Sequence, residues 1–173
     1  MASTPVPEVR QNFPRDCESG INKQIHMQLQ GSYFYLGMAY HFDRSDVALP
    51  GFKSYCQKLS DKKKNVASSL MVYQNKRGGK IYLQDIKSLN HDFSTGQKAF
   101  EVALVHEKEV NKALLELVNV AVANKDAQFK SFLGDFLREQ MLLIKELGDH
   151  LRNISRAGPN LGEYFFDTKT LSS

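Results

Sequence analysis

Four long segments of this 173-residue chain carry apolar residues at helical spacing, and one apolar stripe can be drawn through each of them. The helices predicted from these stripes span about Asp16–Phe42, Gly51–Lys76, Ser94–Ala123 and Asp126–Ser155. With 42% hydrophobic and 24% charged residues, the chain is long enough for one domain with a core and too short for two. The sequence therefore predicts an all-α fold, with residues 1–173 forming a single domain.

The connections between these helices differ in length. Short links join the first helix to the second and the third to the fourth, whereas residues 78–93 form a long connection in the middle. This pattern predicts two antiparallel helix pairs joined by a long crossover. Asp16 is the predicted N-cap of the first helix, and Arg77 with Gly78 is predicted to end the second. A short fifth helix is expected over about Leu161–Leu171.

Charge and cysteine content exclude several classes of protein. The net charge of +4 is small, and the lysine run at residues 62–64 has no aromatic platform beside it, so nucleic acid is an unlikely partner. Cys17 and Cys56 form no CxxC pair, which favours a reducing compartment. The chain begins without an apolar leader, and the uncharged stretch 24–42 is too polar for a lipid-facing span. We expect a soluble cytoplasmic protein with no membrane partner.

Each apolar stripe is interrupted near its middle by polar residues. In chain order these are Gln28 with Tyr35 after it, Lys63, Glu107 and Gln140. In helix bundles with this connectivity, carboxylates and a Glu-x-x-His pair at such places can converge on iron. The corresponding inward pair here is Lys63 and Val66, and neither side chain offers a lone pair to a metal at neutral pH.

Glu107 is consequently the one strong anionic ligand left at this level, too few for two irons. A buried carboxylate without a partner is costly, so the sequence predicts an ion pair between Lys63 and Glu107. Gln28, Gln140 and Tyr35 are predicted to complete its hydrogen bonds. Two alternatives stay open: a single-metal site that uses Glu107, and a helix phase that leaves Lys63 in solvent.

Several stretches of the chain, read in order, are highly specific to one family. They are Val9–Phe13, Ser32–Leu36, Phe42–Leu49, Gln74–Lys80, Val110–Leu117, Ile144–His150 and Glu163–Asp167. On these motifs the chain resembles animal ferritins over nearly its whole length. The resemblance implies ferritin-like four-helix bundles assembled into an octahedral cage of twenty-four subunits. In such a cage the short fifth helix would line the fourfold axis, which would cover its aromatic face.

The resemblance also bears on catalysis. Heavy-type ferritins oxidise ferrous iron at a diiron site whose five positions correspond here to Gln28, Lys63, Val66, Glu107 and Gln140. Only the last two keep the expected residue. Light-type subunits also lack this site and have a lysine where Lys63 stands. Ferroxidase catalysis is therefore not expected from this subunit alone, and stored iron mineral is the implied cargo, with no organic cofactor.

Two further iron-handling regions of the family are altered. On the cavity face of the second helix, where light-type subunits nucleate mineral, Asp61 is the only acid, so we expect Asp61 and Glu107 to be weak metal ligands at most. The threefold-channel positions correspond to Val118, Lys130, Ser131 and Gly134, so both acids that the family has there are missing. The fourfold-channel positions correspond to Leu161, Phe165 and Lys169. The implied pores are neutral or basic, which weakens steering of cations.

Three functional hypotheses follow. The leading one is an inactive ferritin subunit that contributes to iron storage, as a homo-oligomer or mainly in mixed cages with active subunits. The second is a non-storage structural or anion-binding cage with basic pores and a basic cavity. The third is a metal-dependent oxidase that uses Glu107 with His106. Because His106 lies one residue off the stripe, it is predicted to be a surface or interface histidine.

Overall fold

Four long helices account for most of the chain in the computed structural model, which describes residues 5–88, 90–91 and 93–172. They are α1 (Arg15–Phe42), α2 (Pro50–Lys76), α3 (Gly96–Ala123) and α4 (Ala127–Ala157). A short helix α5 (Leu161–Phe165) continues directly into a π-helical turn (Phe166–Leu171), and we call these two together the C-terminal segment. Among the described residues no helix has both the length and the apolar character needed to cross a membrane.

The predicted all-α bundle is confirmed, and each end of the four long helices lies within two residues of its predicted position. Asp126 caps α4, accepting a hydrogen bond from the Phe129 N–H at 2.9 Å. The prediction of Asp16 as an N-cap is wrong, because Pro14 occupies that position. Proline suits a helix start, since it has no N–H to satisfy and a fixed φ. Asp16 lies in the first turn and accepts a hydrogen bond from the Asn124 side chain at 2.9 Å.

The predicted short fifth helix is confirmed over residues 161–171, but its second half is π-helical rather than α-helical. The change to π-helical geometry comes at Phe166, next to Asp167, which is buried. The Asp167 carboxylate accepts a hydrogen bond from the Phe52 N–H at 2.8 Å, at the start of α2. The Glu163 carboxylate accepts one from the Gly96 N–H at 2.9 Å, at the start of α3. The C-terminal segment thus contacts the N-terminal ends of two long helices.

The crossover between α2 and α3 is held by hydrogen bonds to the side of α1. The Asn22 side-chain amide donates to the Lys80 carbonyl at 2.9 Å and accepts from the Tyr82 N–H at 3.1 Å. Gly78, at the start of the crossover, has φ +77°, a conformation that favours glycine. The long connection is therefore anchored at its first residues and runs along the bundle, as the two-hairpin topology requires.

The buried core consists of two apolar clusters at different levels of the bundle. The first is built around Phe34, Phe42, Phe52, Phe100, Leu143 and Leu147, and the C-terminal segment packs on it through Phe166 and Leu171. The second is built around Ile21, Ile25, Leu70, Leu114, Phe129 and Leu133. Residues in mid-helix positions between these clusters are polar, and they form the candidate site.

Candidate functional site

Each long helix contributes at least one buried polar side chain to the level between the two apolar clusters. The exposed fractions are 2% for Gln28, 1% for Tyr35, 3% for Lys63, 0% for Glu107 and 5% for Gln140. Each of these residues interrupts an apolar stripe, and the interruption falls at the same level in all four helices because the helices pack side by side. We call these five residues the polar layer.

The Glu107 carboxylate is the centre of the polar layer. The Lys63 ammonium donates to Glu107 Oε2 at 2.5 Å, and the Tyr35 hydroxyl donates to Glu107 Oε1 at 2.7 Å. The Gln140 amide donates to Glu107 Oε2 at 2.5 Å and to the Glu107 backbone carbonyl at 2.9 Å. Lys63 also lies 3.4 Å from Gln140 Oε1. Both carboxylate oxygens therefore already have donors.

The pKa shifts follow from this geometry. Burial alone would raise the pKa of Glu107, but the adjacent Lys63 charge and its hydrogen bond hold that pKa below its usual value. Burial lowers the pKa of Lys63, and Glu107 opposes that shift. Burial, with the Glu107 charge beside it, raises the pKa of Tyr35 well above its usual value. Tyr35 thus stays protonated and acts as a hydrogen-bond donor to an ionised carboxylate.

Gln28 departs from its predicted role of completing the hydrogen bonds of this ion pair. Its side-chain oxygen is buried and accepts no hydrogen bond from any residue that the structure describes. Gln28 instead lines a cavity of about 20 Å³ together with Lys63 and Val66. The difference arises because Tyr35 and Gln140 already occupy the donor positions around Glu107, so the amide of Gln28 is left facing this small space.

Val66 forms an apolar wall of the cavity and packs against the second core cluster. The cavity is bordered by a second charged pair, in which the Lys62 ammonium lies 2.9 Å from Glu139 Oε2. Both of these side chains are about half exposed. Lys63 therefore pairs with the buried Glu107 carboxylate, whereas its neighbour Lys62 bridges α2 and α4 at the surface.

His106 is not at the surface of the subunit, one of the two places predicted for it, and the other, a subunit interface, stays a prediction. It is half-buried, its ring centroid lies 5.2 Å from that of Phe34, and burial lowers its pKa. A Cβ atom added to Gly31 would lie 3.0 Å from His106 Nε2. Glycine at this position of α1 therefore makes room for the imidazole. Gly31 in the middle of a predicted buried helix was the sequence signal for this packing.

The weak metal ligands predicted from the sequence do not come together. Glu107 is enclosed in the polar layer, whereas Asp61 is exposed and lies 3.3 Å from the Gln57 amide. Across the part of the chain that the structure describes, no group of three or more histidine, cysteine, aspartate or glutamate residues is placed to hold a metal ion. Both Glu107 oxygens already accept hydrogen bonds, so a cation would have to compete with those donors.

The predicted channel residues lie at two separate places on the subunit. Val118 and Gly134 are half-buried, whereas Lys130 and Ser131 are exposed at the start of α4. Leu161 and Phe165 are 65% and 50% exposed, and Lys169 is also exposed. Their assignment to threefold and fourfold channels depends on neighbouring subunits and remains a prediction.

Sequence reasoning missed a second buried ion pair. Arg77, predicted only as a helix end, donates to both oxygens of Asp126 at 3.2 and 2.7 Å. It also donates to the backbone carbonyls of Gln11 and Asn12. No local pattern connects Arg77 with Asp126, because they lie 49 positions apart.

A bundle of two helix hairpins joined by a long crossover, with a polar layer in its core and a short C-terminal helix, defines a ferritin-like class of protein. Comparison with known proteins gives the same class, since residues 18–157 match the ferritin-like domain named Ferritin. The chain belongs to the ferritin family, whose members typically form oligomeric cages.

Three relatives show how far the similarity extends. Soma ferritin of Lymnaea stagnalis is 51% identical over 97% of this chain and 98% of its own length. Ferritin heavy chain of Echinococcus granulosus is 52% identical over 94% of this chain and 95% of its own. Ferritin light chain, oocyte isoform, of Xenopus laevis is 44% identical over 95% and 96%. Relatives named heavy and light both match across the chain, so the difference between those types has to be argued from the residues of the polar layer.

Proposed function

We propose that this chain is a ferritin subunit that takes part in intracellular iron storage without oxidising iron itself, and that it works mainly in mixed cages with active subunits. Membership of the family makes it an iron-storage ferritin subunit. The observation that carries the finer proposal is the Lys63 ammonium on Glu107 Oε2, at 2.5 Å in the core of the bundle. A cation on the side chain thus takes the place beside the carboxylate where a metal cation would need to bind.

The donor set of the polar layer supports this interpretation. Iron in a carboxylate site prefers oxygen and imidazole ligands, and a two-iron site requires several of them. The resemblance assigns ligand positions to Gln28, Lys63 and Val66, but these residues offer an amide, an ammonium and an isopropyl group. Glu107 is the single carboxylate of the polar layer, and its two oxygens accept hydrogen bonds from Lys63, Tyr35 and Gln140. The Glu139 carboxylate at the rim of the cavity pairs with Lys62 instead.

The direct test is iron oxidation by the purified homopolymer. Ferrous iron added in air should oxidise no faster than it does in buffer. The matched variant carries Gln28→Glu, Lys63→Glu and Val66→His, and it should oxidise iron faster than the parent and faster than any of the three single variants. Rapid oxidation by the unaltered homopolymer would contradict the proposal, as would a folded triple variant with no gain.

The mixed-cage part of the proposal has its own experiment. Co-expression with a heavy-type ferritin subunit should give cages that contain both chains and that store iron. The measurement is the chain ratio in purified cages, followed by their iron content. Exclusion of this chain from such cages would contradict the storage role and favour the second candidate function.

That second candidate is a non-storage cage whose basic pores and cavity admit anions. It is favoured by the absence of carboxylates at Val118, Lys130, Ser131 and Gly134. The exposed residues Lys58 and Lys64 on α2 also favour anion binding, because they add positive charge to the surface. Equilibrium dialysis of the assembled homopolymer with inorganic phosphate tests it: retention that falls with added salt favours the anion-binding cage.

A further inference from the structure

We propose that the small cavity in the polar layer binds one water molecule, which bridges the Lys63 ammonium and the side-chain oxygen of Gln28. This inference concerns the same residues as the proposed function but does not depend on whether the cage stores iron. It assigns a ligand, a neutral molecule that both donates and accepts hydrogen bonds, to a site between α1, α2 and α4.

Lys63 has more hydrogen-bond donors than it has acceptors around it, and Gln28 has an acceptor without a donor. An ammonium has three N–H donors. Among the described residues the Lys63 ammonium has two acceptors, Glu107 Oε2 at 2.5 Å and Gln140 Oε1 at the long distance of 3.4 Å. The Gln28 oxygen, on a side chain that is 2% exposed, has no donor in the described part of the chain. Lys63, which has a spare donor, and Gln28, which has a spare acceptor, therefore line the same cavity.

Leaving these groups unpaired would be costly. A buried acceptor without a partner destabilises a protein, because it has lost its hydrogen bonds to water and gained none in return. Buried polar groups in folded proteins are almost always paired, with protein or with ordered water. A water that accepts from Lys63 and donates to Gln28 satisfies both groups at once, which no residue already present in the polar layer does.

The size of the space selects the ligand. The cavity measures about 20 Å³, and a site needs roughly 10 to 15 Å³ measured in this way to hold one water. A water also needs two to four polar partners, and Lys63 and Gln28 provide two. The Lys62 and Lys63 charges outnumber the single Glu139 charge that lines the cavity and disfavour a metal cation there, and the volume leaves no room for a larger molecule.

The test is a crystal structure of the homopolymer at a resolution that shows single waters, with anomalous data to identify metals. We expect one fully occupied water within hydrogen-bond distance of Gln28 Oε1 and Lys63 Nζ. In Gln28→Leu the acceptor is gone, so this water should be lost. Lys62→Met is the matched control, because it alters the rim of the same cavity but neither bridging group, and the water should remain.

A solution measurement covers the case in which a variant does not crystallise. Oxygen-17 relaxation dispersion counts long-lived waters, and it should show one fewer per subunit in Gln28→Leu than in the parent or in Lys62→Met. An empty cavity in the parent, an anomalous metal peak, or a water that persists in Gln28→Leu would each overturn the proposal. Iron oxidation is not part of this test, so its outcome is independent of the proposed function.

Discussion

The polar layer in the middle of the bundle and the end of the bundle where α2 stops and α4 starts each contain a buried ion pair. Lys63 and Glu107 are 3% and 0% exposed, and Arg77 and Asp126 are 9% and 2% exposed. The two pairs are alike in burial, but their surroundings differ. The central pair lies between two apolar clusters, whereas the end pair lies among backbone groups that need partners.

At the end of the bundle the charges serve several structural purposes. Arg77 binds Asp126 through two hydrogen bonds, donates to the Tyr73 hydroxyl at 2.7 Å, and stacks over Phe13 with its guanidinium carbon 4.8 Å from the ring centroid. Asp126 also caps α4. If Asp126 were neutralised, Arg77 would keep Tyr73 and two backbone carbonyls as acceptors. Bidentate arginine–carboxylate pairs are also among the stronger hydrogen-bonded pairs.

In the polar layer the two charges depend on each other to a greater degree. Replacing a buried ion pair by apolar groups is often neutral, whereas removing one partner is strongly destabilising because a charge is left unpaired. Burial alone therefore does not measure the role of an ion pair. The end pair is a structural clamp, whereas the central pair neutralises the buried carboxylate of the polar layer.

The largest expected effect comes from breaking the central pair. Lys63→Ala should lower the free energy of unfolding by about 3 to 5 kcal/mol, because Glu107 is left buried without its countercharge. Guanidinium unfolding at equal protomer concentration measures this. The control, Lys63→Met with Glu107→Gln, removes both charges and keeps an acceptor for Tyr35, so it should cost less. A small loss in Lys63→Ala would mean that the amine is in water.

Breaking the Arg77–Asp126 pair should lower the free energy of unfolding by less than Lys63→Ala does. Asp126→Asn keeps a good N-cap but removes the charge opposite Arg77, and hydrogen bonds to charged groups contribute about 1.5 to 3 kcal/mol. Arg77 retains Tyr73 and two backbone carbonyls as acceptors, so the loss should stay below that of Lys63→Ala in the same unfolding assay. A larger loss than in Lys63→Ala would reverse the comparison between the two regions.

The pH dependence distinguishes the central pair further. The pKa of Glu107 in the folded protein lies below its ordinary value of 4.5, so its contribution to stability is present above that value and is lost as pH falls through the folded pKa. The stability advantage of the parent over Lys63→Met/Glu107→Gln should shrink below about pH 4.5, by at most about 1.4 kcal/mol per pH unit for one proton. A difference that stays constant in acid would contradict this assignment.

The smallest difference in the free energy of unfolding is expected between two matched tyrosine substitutions. Tyr35→Phe removes a donor from the buried Glu107 carboxylate and should cost about 1.5 to 3 kcal/mol, whereas Tyr73→Phe removes one of several acceptors from Arg77 and should cost about 0.5 to 1.5 kcal/mol. The difference, about 1 kcal/mol, is measurable as a shift in the guanidinium midpoint. Equal losses would mean that the two pairs are equally well solvated by their surroundings.

The fold could be predicted well because its signals are local. Apolar spacing and the lengths of the connections gave the helices and their order, and each helix end came within two residues of its observed position. Interruptions of the same spacing identified Lys63, Glu107 and Gln140 as buried polar residues. The prediction that Asp16 is the N-cap of α1 was wrong, because Pro14 occupies the N-cap position instead.

By itself, the sequence determined the bundle, the level of the polar layer and the chemistry available there, because helical periodicity fixes which residues share a face. Tertiary structure decided which polar atoms meet across helices. It paired Arg77 with Asp126, placed His106 against Gly31, and left the oxygen of Gln28 facing a cavity. Those contacts depend on how each of the four helices is rotated about its axis and how closely the helices approach one another. No pattern along a single helix contains that information.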